Sequence, residues 1–248
     1  MQAAIIAAQK GHDVTLYEKS NRLGGQLILA AIPPDKQDLG NFLTYLNIQV
    51  EKAGVKVVLN KEATPEAVEK FAPDAVIVAI GSTPFIPDIP GIKGNNVVNC
   101  REFLAGEKKV GKKVVVIGAG HVGCETCFAL AEQGAQVTLT FIEPALEVKY
   151  WMFKKYFQDK LAKYNVKIYP QVVYRKINPK GVELTTREGE TIFLEADNIV
   201  LAAGSTPNKT LGESLKSKYL EFAEIGDCVK ARKIREAVEE GIWAAVIL

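Results

Sequence analysis

"KKVVVIGAGHVGCETCFALAEQGAQVTLT", residues 112–140, decides how this chain folds. Val114 to Ile117 is a short apolar run of the kind buried on both faces in a parallel sheet. Gly118, Gly120 and Gly123 follow at G-x-G-x-x-G spacing, then a helix ending at Gly134 and a second strand at 136–141. That order is the dinucleotide-binding arrangement. The first glycine makes the tight turn, the second lets a pyrophosphate approach the backbone, and the third brings helix close to strand. The diphosphate then meets the N–H groups and positive dipole end of the helix. Glycines alone at this spacing are a weak signal; between "VVVI" and a helix and strand of the right length they are a strong one.

The stretch has an internal relative. With an offset of 123 residues, Gly134 falls on Gly11, and Val137, Thr138 and Leu139 fall on Val14, Thr15 and Leu16. Cys127 to Leu130 cover Ala4 to Ala7, so the apolar helix face keeps its phase. "AVIVAIGSTP" (75–84) likewise repeats as "NIVLAAGSTP" (198–207). Two related α/β units are therefore predicted. By the same offset, the first unit's glycine loop would fall just before Met1. The expectation is a first unit without its first strand and its glycine loop.

The first unit still carries ligand-binding signals. Strand 14–17 ends in Glu18, where a carboxylate accepts from a ribose hydroxyl pair or stays a solvated surface charge. "NRLGGQL" follows, and Gly24-Gly25 allows close backbone approach to a ligand or simply a turn. Near the end, "LEFAEIGDCVKARKIREAVEEGIWAA" (220–245) reads as a strand, Gly226-Asp227, and a helix from about Arg232, where an Asp by itself would most often be a cap.

Taken in order, these strings resemble the two-dinucleotide-binding flavoproteins. "GGQL…IPPDK", "VVVIGAGHVGCET" and "EIGDCVKARKIREAVEEGIWAA" are most similar to the C-terminal half of NADH:flavin oxidoreductases of the 2,4-dienoyl-CoA reductase and enoate reductase type. The resemblance implies an α/β fold of two Rossmann-like domains with a β-meander, one inserted in the other. The FAD domain would be discontinuous (1–105 and 209–248) and the NAD(P)H domain would be 106–208. It implies FAD contacts at Glu18, Arg22, Gly24, Gly25, Gln26, Ala79, Gly81, Gly226 and Asp227. For NAD(P)H it implies Gly118, Gly120, His121, Val122, Gly123, Glu125, Phe141, Glu143 and Gly204, with His121 and Glu125 by the nicotinamide. It also implies an N-terminal barrel partner carrying FMN, an iron–sulfur cluster and the substrate site. Hydride would pass from nicotinamide to flavin, chemistry that belongs to the cofactors, so no catalytic acid, base or nucleophile is expected. Without its glycine loop, the first unit should hold FAD weakly.

The remaining signals narrow the reading. Phe141 takes the place of Glu18 in the offset, Glu143 follows, and no Arg lies between Thr140 and Lys149 to hold a 2′-phosphate, which favours NADH over NADPH. Cys124 and Cys127 form "CETC", whose rival readings are a thioredoxin-reductase-like redox dithiol and small packing residues at the start of a helix. A third alternative is a nucleotide-binding fragment without activity. Two histidines far apart give a metal site little support. A net charge of +2 argues against nucleic acid and anionic membrane, and no apolar run reaches the ~18 residues of a membrane helix. Four cysteines and no signal-peptide pattern make a reducing cytoplasm the expected setting. Residues 36–53 have helical apolar spacing, 84–91 reads as a Pro-rich crossover linker, and 166–203 reads as a β-meander with turns at "NPKG" and "REGE". Substrate and oligomeric state, including a homo-oligomer, stay open.

Overall fold

The computed structural model describes residues 1–248. In chain order the elements begin with α1 (Gln2–Gln9), β1 (Thr15–Tyr17), α2 (Gln26–Ala30), α3 (Gln37–Lys52), β2 (Lys56–Val58), α4 (Pro65–Phe71), β3 (Ala75–Val78) and β4 (Ser82–Pro84). Next come β5 (Val97–Asn99), α5 (Cys100–Leu104), β6 (Lys113–Ile117), α6 (His121–Glu132), β7 (Gln136–Thr140), α7 (Trp151–Lys163) and β8 (Lys167–Tyr169). The chain closes with β9 (Val173–Asn178), β10 (Gly181–Thr185), β11 (Thr191–Glu195), β12 (Asn198–Leu201), β13 (Ser205–Pro207), α8 (Thr210–Leu215), β14 (Glu221–Glu224) and α9 (Ile234–Val246). Two compact units result: Met1–Ile28, Gln37–Thr83 and Ser205–Leu248 form the first, Leu29–Lys36 and Pro84–Gly204 the second.

The second unit is a five-stranded parallel sheet in the order β5-β12-β6-β7-β8. β6 lies at its centre because Val114, Val115, Val116 and Ile117 are all buried and need apolar cover on both faces. α6 covers one face with Cys124, Cys127, Phe128 and Leu130. The antiparallel meander β9-β10-β11 covers the other, where Ile177 and Val182 meet Val115, Ile117 and Ile199. The turn at "NPKG" closes through an Asn178 side chain accepting from the Lys180 N–H at 2.8 Å, as the turn chemistry requires. The meander is shorter than the period-two stretch suggests. β8 and β12, at either end of 166–203, join the parallel sheet instead.

Two boundaries also differ from the sequence reading. Residues 84–105 fold with the second unit: Ile89 is buried in its core and β5 forms its sheet edge. Residues 29–36 do so too, held by Leu29 against the core, by Asp35 accepting from the Tyr156 hydroxyl and paired with Lys160, and by Lys36 paired with Glu125 at 2.5 Å.

In the first unit the same topology is split. β1 pairs in parallel with β2, and β14 pairs in parallel with β3. The offset of 123 residues sets β3 on β12 and β4 on β13, and β1 on the last part of β7. No element of the first unit corresponds to β6, so two strand pairs stand where the second unit has one continuous sheet. α1 packs on α9 through Ala3, Ala7, Ala244 and Ala245; a β-carbon on Gly241 would lie 3.3 Å from the Ala3 nitrogen, so the helices approach closely.

The three loop glycines have unequal structural weight. A β-carbon on Gly123 would sit 1.9 Å from the Gly118 carbonyl oxygen, and one on Gly118 would sit 2.4 Å from the Ala202 carbonyl oxygen. Around Gly120, at φ −72°, nothing lies within 4 Å of such an atom. Gly123→Ala is therefore expected to cost about 3 kcal/mol, the upper end of overpacking, because a backbone oxygen cannot rotate away. Gly120→Ala should cost under ~1 kcal/mol. Urea unfolding of both variants checks this, and equal losses would contradict it.

Candidate functional site

The glycine loop joins the C-terminal end of β6 to the N-terminus of α6, at the edge where open parallel sheets receive ligands. Gly118 takes φ +109°, a conformation that a side chain would resist, and turns the chain against Ala202 on the strand from β12. Gly123 brings α6 onto that turn. Between them Gly120 caps the helix without a side-chain hydrogen bond, leaving first-turn N–H groups such as those of Val122 and Gly123 ahead of the intrahelical ladder. Positive helix-end charge, outward N–H groups and an open α-carbon together suit a diphosphate.

Side chains around the loop sort by burial. Val122 is exposed, and His121 stands edge-on to Phe157 at 5.3 Å and to Phe153 at 6.4 Å on α7. Glu125, one turn into α6, is buried and ion-paired with Lys36. Gly204, at φ +105° beyond β12, leaves open space at its α-carbon while its carbonyl accepts from the Phe85 N–H. Glu143 is half-buried in the segment after β7. The Phe141 ring is 3% exposed and packed with Phe128 and Leu139 in the core.

In the first unit, three distant segments converge. The Gln26 side-chain amide donates to Asp227 at 3.1 Å and to Ser82 at 3.2 Å, and the Ser82 hydroxyl reaches the same Asp227 oxygen at 3.4 Å. Asp227 also accepts from the Arg232 backbone N–H at 3.1 Å, but it does not cap α9, which starts at Ile234 behind Lys233 with no side-chain cap hydrogen bond. Gly226 donates its N–H to Glu240, which pairs with Arg232. Gly81, at φ +75°, places its backbone beside the Gln26 amide. Gly24 is tight against Leu43 and Ile28, whereas Gly25, at φ +51°, faces open space. Glu18, at the end of β1, accepts from the Ser20 N–H, and Arg22 and Ala79 are exposed. Ser82, Arg232 and Glu240 were not singled out by the sequence. The "GSTP" repeat was the one signal that could have pointed to Ser82.

The CETC thiols are not presented to solvent. Cys124 and Cys127 are fully buried, as free thiols, in the α6 face that packs on the sheet. Burial pushes the Cys124 thiol up to about 12 and Cys127 well above its ordinary range, outweighing the helix N-terminus that would lower them. Cys100 is pushed up to about 11 by burial, and burial raises Cys228. A thiol at about 12 is ionised to roughly one part in 10⁴ at pH 8. All four thiols should thus resist alkylation in the native state and react together on unfolding; mass spectrometry showing native labelling of Cys124 or Cys127 would favour the dithiol reading.

Comparison with known proteins agrees with this architecture. The pyridine nucleotide-disulphide oxidoreductase family profile matches residues 1–245. The NADH oxidase of Thermoanaerobacter brockii is 37% identical over 251 residues, covering 99% of this chain and 39% of that protein. The bilirubin reductase of Mediterraneibacter gnavus is 36% identical over 250 residues, covering 100% of this chain and 39% of that protein. The solved complex of 2-naphthoyl-CoA reductase with 2-naphthoyl-CoA superposes with a TM-score of 0.95 at 35% identity, covering 100% of this chain and 38% of that one. The chain thus spans about 39% of the length of the curated relatives it matches. No helix is long and apolar enough to cross a membrane. The glycine loop, the duplicated α/β units and the family match lead to one conclusion: the chain belongs to the pyridine nucleotide-disulphide oxidoreductase family of flavoprotein oxidoreductases.

Proposed function

We propose that the chain is the FAD- and NAD(P)H-binding electron-transfer module of a flavin reductase, with residues 84–204 binding the nicotinamide cofactor and the first unit holding FAD. The observation that carries this reading is the open α-carbon of Gly120 between two glycines closed against backbone oxygens. When bound, the nicotinamide supplies a hydride and the flavin accepts it. The protein's part is to bind, orient and exclude water. The first-turn N–H groups of α6 hold the diphosphate, Glu143 the adenosine ribose, and His121, Val122 and Glu125 border the nicotinamide, with Gly204 leaving room at the next strand end. Lys36 keeps the buried Glu125 charge compensated there. In the first unit, Gln26, Ser82 and Asp227 form a preset polar cluster for the ribityl–phosphate end of FAD, and Glu18 takes a ribose.

Onward electron flow goes to a partner, an N-terminal FMN- and iron–sulfur-bearing barrel being the proposed one, since the relatives are much longer than this chain. The buried free thiols suit a reducing cytoplasm.

Saturation titration with NADH or ADP-ribose tests the reading. Gly120→Val puts a branched side chain where the diphosphate must approach and should weaken binding more than about 100-fold, with the fold intact. Unchanged NADH affinity would place the site elsewhere.

A further inference from the structure

The segment after β7 adds a feature that the glycine loop alone does not supply. It leaves the strand at Thr140 and is pinned at three places: Phe141, Leu146 and Val148 are each buried in the core. Between the last two anchors, Glu147 is exposed, and its backbone N–H donates to the carbonyl of Ala119 at 3.2 Å. Ala119 is the residue between Gly118 and Gly120. The segment is therefore hydrogen-bonded directly onto the phosphate loop. Its other end is fixed where the Glu143 carbonyl accepts from the Gln171 N–H at 3.2 Å.

Resting on the proposed nicotinamide site, we infer that Glu147 is a specificity-determining residue which, together with Glu143, rejects the 2′-phosphate of NADPH and commits the site to NADH. Glu143 stands about 20 residues beyond the glycines, where an acid receives a ribose hydroxyl pair. Glu147 sets a second carboxylate on the same short segment, at a residue whose backbone N–H is hydrogen-bonded to the Ala119 carbonyl of the glycine loop. Partial burial raises the Glu147 carboxyl first, and the nearby charge of Glu143 raises it further. A 2′-phosphate would bring roughly two more negative charges to this rim, and like charges placed against a ligand are a common device of discrimination. The segment's one lysine does not compensate, because the Lys149 ammonium lies over the Tyr150 ring at 5.6 Å.

The test is paired titration of the full chain with NADH and NADPH. Wild-type protein should bind NADH at least about tenfold more tightly. Glu147→Gln should tighten NADPH several-fold and leave NADH within about twofold, and Glu147→Lys should bring NADPH to parity or better. The wild-type preference should also narrow as salt is raised, which a purely structural role for Glu147 would not produce. Circular dichroism controls for folding, which an exposed position should tolerate. An NADPH:NADH affinity ratio that is the same in wild type and both variants overturns the inference while leaving the nucleotide site standing. Failure of wild-type protein to bind either dinucleotide or ADP-ribose overturns both.

Discussion

Gly123 pressed against the Gly118 carbonyl, with Gly118 in turn pressed against Ala202, is the contact on which the second unit depends. It lets α6 begin almost at the surface of the sheet. That closeness fixes the direction of the helix, which buries Cys124, Cys127, Phe128 and Leu130 on the β6 side and leaves its N-terminus at the C-terminal edge of the strands. Apolar burial, at about 1.5–3 kcal/mol per large side chain, supplies the stability. The glycines decide where that stability places a positive helix end. Around Gly120, by contrast, an added β-carbon would meet nothing within 4 Å, so the same six-residue loop holds glycines closed by packing and one that is open.

The two units show what a single strand contributes. In the second, β6 ties β7 to β12 and presents the phosphate loop. In the first, the pairs β1-β2 and β3-β14 keep the rest of the design, and the polar residues at their ends still come together, with Gln26, Ser82 and Asp227 in mutual hydrogen-bond range.

Much of this was legible in residue order. The apolar run before Gly118, the glycine spacing, the 123-residue offset and the period-two strands each follow from local geometry. What escaped has a physical cause in each case. Residues 29–36 join the second unit through Asp35–Lys160 and Lys36–Glu125, ion pairs between positions far apart in the chain that no local pattern announces. The Pro-rich stretch at 84–91 looks like a linker, yet Ile89 is buried and β5 follows at the sheet edge. Phe141 occupies the ribose-acid position by alignment, but an aromatic ring at a strand end gains more from the core than from solvent. The Gln26–Asp227 bond spans 201 residues, and only the fold brings it together.

The claim that backbone amides at the start of α6 receive the dinucleotide diphosphate can be read amide by amide. Hydrogen exchange of the chain with and without saturating NADH should show slowed exchange concentrated at residues 120–123, where the N–H groups of the first turn would be taken up by ligand oxygens. Protection confined to other segments, with residues 120–123 exchanging as fast as in the free protein, would contradict the account.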